Sequence, residues 1–283
     1  MKLISFILNN ESTYGVVVGD EVLDLMPLFG NQAPDLKTFI AKGLMHAAAQ
    51  AMEVHPPTLK YASLKLLPVI PNPGKILCVG LNYSEHVKET GRDLTEMPAI
   101  FVRLAGSQVA HGQDMIRPPE SIRFDYEGEI AIVIGKGGRR ITEADAWKHI
   151  AGYACYNDGS IRDWQNHTTQ WTAGKNYAGT GAFGPWLVTA DEIKPGQKMS
   201  LSTRLNGQQL QHATTDMMIH SIPRQINYIS TFIDLEPGDV IVTGTPGGVG
   251  NKRVPPLYMK HGDVVEIEVD AVGILRNNVR DEV

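Results

Sequence analysis

The chain has 283 residues, 42% of them hydrophobic and 20% charged, with a formal net charge of −5. That length buries a sizeable core, and an acidic balance without a long run of one sign excludes the basic face of a nucleic-acid binder. No apolar run reaches the roughly 20 residues of a membrane span.

The N-terminus, Met1-Lys2-Leu3-Ile4-Ser5-Phe6, carries no secretory leader pattern. The two cysteines, Cys78 and Cys155, sit in apolar strand-like runs and read as buried thiols of a reducing compartment. A cytoplasmic protein is expected, with neither nucleic acid nor membrane as partner. Short strands are expected at Leu3–Leu8, Tyr14–Val18 and Glu21–Leu23, with Gly19-Asp20 as a hairpin turn. Asp35 to about Glu53 reads as a helix. Pro56-Pro57, Pro68 and Pro71-Asn72-Pro73-Gly74 then punctuate the chain. A small N-terminal domain, residues 1–70, and a main domain, residues 71–283, are expected.

From Lys75 onward strands predominate. They are expected at Ile76–Val79, Ala99–Val102, Glu129–Ile134, Gly152–Tyr156, Trp186–Val188, Leu201–Leu205, Val240–Val242, Val264–Val269 and Gly273–Arg276. Helices are expected at Tyr83–Glu89, Glu143–Lys148, Ser160–Gln165 and Ile222–Ser230. These are too few for a regular βα alternation, so the fold class is mixed α+β and β-rich, not a TIM barrel or a doubly wound sheet.

The most informative segment is Tyr126-Glu127-Gly128-Glu129-Ile130-Ala131-Ile132-Val133-Ile134. Side chains two apart on a strand share a face, so Glu127 and Glu129 point the same way as Ala131 and Val133. Both faces of the continuation are apolar, and buried carboxylates need a counter-charge. No lysine or arginine alternates with them, which makes a metal ion the first suspect. The second Glu-x-Glu, Glu266 and Glu268, alternates with Val265, Ile267 and Val269. That is an ordinary half-buried strand with its acids in water. A third acid, Asp158, ends the apolar run from Ala151. Three carboxylates at strand ends would suit Mg²⁺ or Mn²⁺, whereas zinc prefers His or Cys. The alternative for Asp158 is a helix cap before Ser160.

Other residues could carry chemistry. In Asn82-Tyr83-Ser84-Glu85-His86-Val87-Lys88-Glu89, His86 and Glu89 share a helical face, as a general base and its orienting carboxylate would. A solvated ion pair is the alternative. Asn82 with Glu85 reads as a capping box. The polar segment Thr90-Gly91-Arg92-Asp93 has the character of a mobile lid. Lys175 lies in a Gly-rich loop, where it could hold a substrate carboxylate or be solvated. Thr243-Gly244-Thr245-Pro246-Gly247-Gly248 ends a strand in a loop whose N–H groups could approach an anion.

Jointly these segments resemble the fumarylacetoacetate hydrolase family over about residues 75–280. The resemblance rests on Gly80–His86, Tyr126–Glu129, Asn157-Asp158, Arg162-Asp163-Trp164-Gln165 and Gly238–Pro246. It implies a catalytic domain of β-roll or β-sandwich type, a homodimer, and Mg²⁺ or Mn²⁺ on Glu127, Glu129 and Asp158. It implies His86 and Glu89 as a water-activating dyad, and Arg103, Gln165, Lys175 and Thr245 as lining for a 2-oxo acid substrate. The loop after Lys175 departs from the family pattern, with Asn176-Tyr177-Ala178-Gly179 and with Ala182 at a position where many members have proline. The implied reaction is hydrolysis of a carbon–carbon bond in a 3-acylpyruvate or related 2,4-dioxo acid. The alternatives are an oxaloacetate-type decarboxylase and a 2-hydroxyhepta-2,4-diene-1,7-dioate-type isomerase of aromatic catabolism.

Overall fold

The computed structural model describes residues 1–91 and 96–283. Its centre is the strand Gly128–Ile134, all seven residues of which are buried. It pairs antiparallel with Ile150–Asn157 on one side and with Val240–Val242 on the other. Ile130, Ile132 and Ile134 face one hydrophobic cluster, while Ala131 and Val133 face another. Each buried isoleucine contributes about 1.5–3 kcal/mol, so this strand is strongly held on both faces.

The sheet continues outward from that centre. Val240–Val242 runs parallel to Ile76–Gly80, which pairs with the edge strand Ala99–Arg103. On the far side, Ile150–Asn157 pairs with Gly181–Thr189, and Lys2–Leu8 pairs with the latter. Residues 2–24 thus extend the central sheet, giving twelve strands among the described residues. Leu3, Tyr14 and Phe39 share a core with Val133, Tyr156 and Leu187. A second sheet of five strands includes Ser200–Leu205, Gln208–Thr214, Val264–Val269 and Gly273–Asp281. It packs on the isoleucine face of the central strand through Leu201, Leu205 and Ile267.

The packing explains Gly128. A Cβ at that position would overlap Thr203 Oγ1 and lie 3.1 Å from Ile267 Cδ1. The second sheet therefore approaches closely at the residue between the two glutamates. Glu266 and Glu268 behave as their alternation predicts: each is part-exposed, and Arg204 bonds both.

Several elements depart from the sequence expectation. The helix expected from Asp35 breaks at Gly43 (φ +66°) into Leu36–Ala41 and Met45–Val54. Glu143–Lys148 forms no α-helix, only a short turn of 3₁₀-helix at Ala146–His149. There Asp145 bonds the Thr142 and Lys148 side chains locally. Ser160–Ile161 is a strand paired with Phe124–Asp125, and the helix begins only at Arg162. The strand Gln208–Thr214 was not expected. Its hairpin turns on Asn206-Gly207, both at positive φ, which is the turn signal that announces it. No helix among the described residues is long and apolar enough to cross a membrane.

Candidate active site

Antiparallel register assembles the three acids. Gly128 lies opposite Asn157, so the start of one strand sits beside the end of its neighbour. Glu127 and Glu129 flank that start, and Asp158 follows that end. Asn157 Oδ1 accepts from the Glu127 N–H at 3.0 Å, and the Asp158 N–H donates to the Glu127 carbonyl at 2.8 Å. Each acid is no more than 4% exposed, and each offers an oxygen within 4.8 Å of the others. Asp158 is not a helix cap: its carboxylate is held by Arg103 and Lys175.

The fold brings cations to these acids from distant sequence. Lys175, 1% exposed, donates to Glu127 Oε2 and to Asp158 Oδ2, both at 2.5 Å. It is not the solvated lysine its loop could have made. Arg162 donates through Nε to Asp125 (2.8 Å) and through Nη1 to Gln165 Oε1 (2.9 Å). Its Nη2 lies 2.7 Å from Glu127 Oε1 but out of hydrogen-bond alignment. Arg103, expected to line the substrate cavity, instead lies behind Asp158 and is not among the cavity-lining residues. It is 1% exposed and donates to Asp158 (2.6 Å), the Gly159 carbonyl (2.9 Å) and Thr180 Oγ1 (2.9 Å). Glu129 differs from its partners. No cation lies in contact with it among the described residues, and its bond is from the Gly244 N–H at 2.5 Å.

The electrostatics follow from this inventory. Burial pushes Glu129 well above the usual carboxylate range, and the charges of Asp158 and Glu127 push it further. Burial would raise Glu127 too, but Arg162 and Lys175 outweigh it and hold Glu127 below that range. Asp158 is raised by burial and by Glu127, against Lys175 and Arg103. Burial disfavours the Lys175 ammonium, yet Asp158 and Glu127 keep it protonated above its ordinary value. A buried, all-oxygen cluster with one uncompensated carboxylate is a donor set that fits a hard divalent cation.

His86 and Glu89 form a second unit on the helix Ser84–Thr90. His86 Nδ1 and Glu89 Oε1 are 2.7 Å apart, and the Gly248 N–H donates to Glu89 Oε2 at 2.9 Å. Nε2 carries no hydrogen bond among the described residues. His86 is 6% exposed, so this is not a solvated pair. The capping box is absent: Tyr83 is the N-cap and has no side-chain bond there. Asn82 is fully buried and tied to the His220 backbone and the Thr243 carbonyl. It locks the start of the His86 helix to the turn that bonds Glu129. That turn leaves no room for a side chain, since a Cβ at Gly244 would lie 2.6 Å from Asn82 Cβ.

The glycine-rich loop does receive anions, and they are the protein's own. N–H groups of Gly244, Gly248, Gly250 and Asn251 bond Glu129, Glu89 and Asp125. Asp125 and Arg162 are site residues that sequence reasoning missed; the signal was only that Arg162 opens one family-like segment and Asp125 directly precedes another. A cavity of about 280 Å³ opens between these units. Glu127, Glu129, His86, Lys175, Gln165 and Thr245 all line it. Thr245 Oγ1 donates to the Gly128 carbonyl at 3.0 Å and accepts from Gln211 at 2.9 Å. Arg92 and Asp93 of the expected lid lie outside the described residues.

Comparison with known proteins agrees with this geometry. Residues 75–280 match the family model described as fumarylacetoacetate (FAA) hydrolase C-terminal. The chain is 35% identical over 265 residues to oxaloacetate tautomerase FAHD2A, mitochondrial, of Bos taurus, covering 92% of this chain and 84% of that protein. It is 37% identical, with 92% and 83% covered, to the corresponding Xenopus laevis protein, oxaloacetate tautomerase fahd2, mitochondrial. Among solved structures, fumarylacetoacetate hydrolase from Exiguobacterium antarcticum is 32% identical with a TM-score of 0.88, and both chains are fully covered. Maleylpyruvate hydrolase from Sphingobium sp. SYK-6, solved with manganese(II) and pyruvate, is 28% identical with a TM-score of 0.83 and the same coverage. The sheet-rich fold, the buried acids and these likenesses agree, and the chain belongs to the fumarylacetoacetate hydrolase family of enzymes.

Proposed function

We propose that this enzyme moves a proton at the carbon beside the carbonyl of a 2-oxo acid, interconverting the keto and enol forms of an oxaloacetate-type substrate. The observation that carries the reading is that His86, its Nδ1 locked by Glu89, faces the same cavity as Glu127 and Glu129, whose oxygens lie within 4.8 Å of Asp158. The names of the FAHD2 relatives support the choice of substrate. Glu127, Glu129 and Asp158 would hold Mg²⁺ or Mn²⁺. That ion, when bound, supplies Lewis-acid polarisation of the 2-oxo group.

The chain's own residues then have separate tasks. His86 Nε2 takes the proton from C3 and returns it to the 2-oxo oxygen, so one base serves both positions. Glu89 sets the tautomer that leaves Nε2 basic. Lys175 holds Glu127 and Asp158 in register and has a third N–H to offer the substrate. Gln165 accepts from Arg162 through Oε1, which turns its amide NH₂ to the substrate.

A second reading is hydrolysis of the carbon–carbon bond of a 3-acylpyruvate, and the likeness to maleylpyruvate hydrolase favours it. There His86 Nε2 takes a proton from the water that attacks the 4-carbonyl, and pyruvate leaves. An oxaloacetate decarboxylase would require no such base. The test is a panel of oxaloacetate and acylpyruvates with Mg²⁺ and Mn²⁺, reading enol decay, pyruvate and CO₂ separately. Accelerated keto–enol exchange that falls roughly 10²–10⁴-fold in His86→Ala supports the first reading. Exchange that is absent, or indifferent to His86→Ala, sinks it. Equimolar pyruvate and carboxylic acid from an acylpyruvate establishes the second.

A further inference from the structure

The cavity is graded in depth. At its inner end Glu127, Glu129 and Lys175 are buried. At its outer end Asn166 and Lys252 are exposed, and Asn251 is half-buried. Among the described residues, three side chains with permanent positive charge line it: Arg162, Lys175 and Lys252. The first two already hold carboxylates of the protein. Lys252 holds none among the described residues, and its ammonium has a single long contact, 3.5 Å, to the Thr90 carbonyl. The neighbouring Asn251 is oriented at both ends. Its N–H donates to Asp125 at 2.9 Å, and its Oδ1 accepts from Tyr258 at 2.7 Å, which leaves the Nδ2 donors over.

The inner end therefore attracts a cation and the oxygens it binds, while the mouth keeps one positive charge uncompensated. We propose that Lys252, with the Asn251 amide beside it, receives the distal carboxylate of a 2-oxo diacid and makes the enzyme select dianions over monoanions. This rests on the 2-oxo acid reading of the inner site. Lys252 is a specificity-determining residue in that scheme, because it reads the end of the substrate remote from the proton transfer.

The test compares oxaloacetate with 2-oxosuccinamate, which is the same molecule with an amide in place of the distal carboxylate. Binding with Mg²⁺ is read by rapid-mixing tryptophan fluorescence, since Trp171 lines the cavity. Wild type binds the dianion roughly tenfold more tightly, the size of one charge-assisted hydrogen bond. Lys252→Gln brings the ratio close to one, and Lys252→Arg keeps most of it. A wild-type ratio near one, or a ratio that survives in Lys252→Gln, overturns the proposal. Turnover of oxaloacetate, followed in parallel, judges the inner-site reading separately. A Lys252-dependent preference without turnover of any 2-oxo acid would keep this inference and remove that reading.

Discussion

Glu129→Gln stabilises the metal-free protein and abolishes its response to metal. The carboxylate is 2% exposed, and its oxygen lies within 4.8 Å of oxygens on Glu127 and Asp158. Two like charges at 4.8 Å repel by about 3.5 kcal/mol at an effective dielectric of about 20. Lys175, Arg162 and Arg103 compensate the other two acids but do not contact Glu129. At a pH high enough to ionise the raised Glu129 carboxyl, and allowing for their attraction at longer range, the amide should gain about 1–2 kcal/mol, because it removes a charge and can still accept from Gly244 N–H. For a chain of this size that is roughly +2 to +4 °C in Tm. Saturating Mg²⁺, at about 100 times Kd, adds about 2.7 kcal/mol to wild type and little to the variant. Calorimetric scans with chelator and with Mg²⁺ should therefore cross: the variant melts higher without the ion and lower with it. A variant that melts lower in chelator, or one whose Mg²⁺ shift equals that of wild type, would refute the charge argument.

Arg103→Met removes a buried cation and leaves Asp158 and the Gly159 carbonyl without its bonds. It should cost about 3–5 kcal/mol, or roughly 6–10 °C in Tm, with Arg103→Lys intermediate. Gly128→Ala drives a methyl into Thr203 Oγ1 and should cost about 1–3 kcal/mol. Combining it with Thr203→Ala should recover about 0.5 kcal/mol or more, measured as coupling in a double-mutant cycle of urea unfolding. Asp35 caps the helix Leu36–Ala41. Partial burial pushes its carboxyl up, but bonds from Thr38 and Asn72 outweigh this and hold it below its ordinary value of 3.8. A lowered folded value means stability that is complete above the unfolded value and lost as pH falls through the folded one. Asp35→Ala should thus cost about 1 kcal/mol at neutral pH, and its gap from wild type should close in acid when both are melted across pH.

Much of the site was legible because it is written locally. Glu127 and Glu129 stand before a strand with two apolar faces, and that pattern by itself implies burial. Glu266 and Glu268, on a strand with one wet face, were separated from them by the same reasoning. His86 and Glu89 sit one helical turn apart, so their contact follows from spacing. What sequence could not give is pairing across the chain. Arg103 and Asp158 are neighbours only because the strands carrying them enter one sheet. Asn82 looks like a cap from its neighbours in sequence, yet its bonds reach residue 243, at a separation of 161. The anion-binding loop was read correctly as a set of N–H donors, but its anions turned out to be Glu129, Glu89 and Asp125.

The parallel pairing of Ile76–Gly80 with Val240–Val242 has a consequence during synthesis. Thr243, which Asn82 bonds, is translated 161 residues after it. At roughly 5–20 residues per second the earlier strand waits roughly ten to thirty seconds for its neighbour. Until then its apolar residues and one unpaired edge are open to other chains, the condition that recruits chaperones. A ribosome stalled before residue 240 would hold all three acids of the cluster and both members of the dyad. It would still lack the turn that gives Glu129 its N–H partner and Glu89 its tie to Gly248.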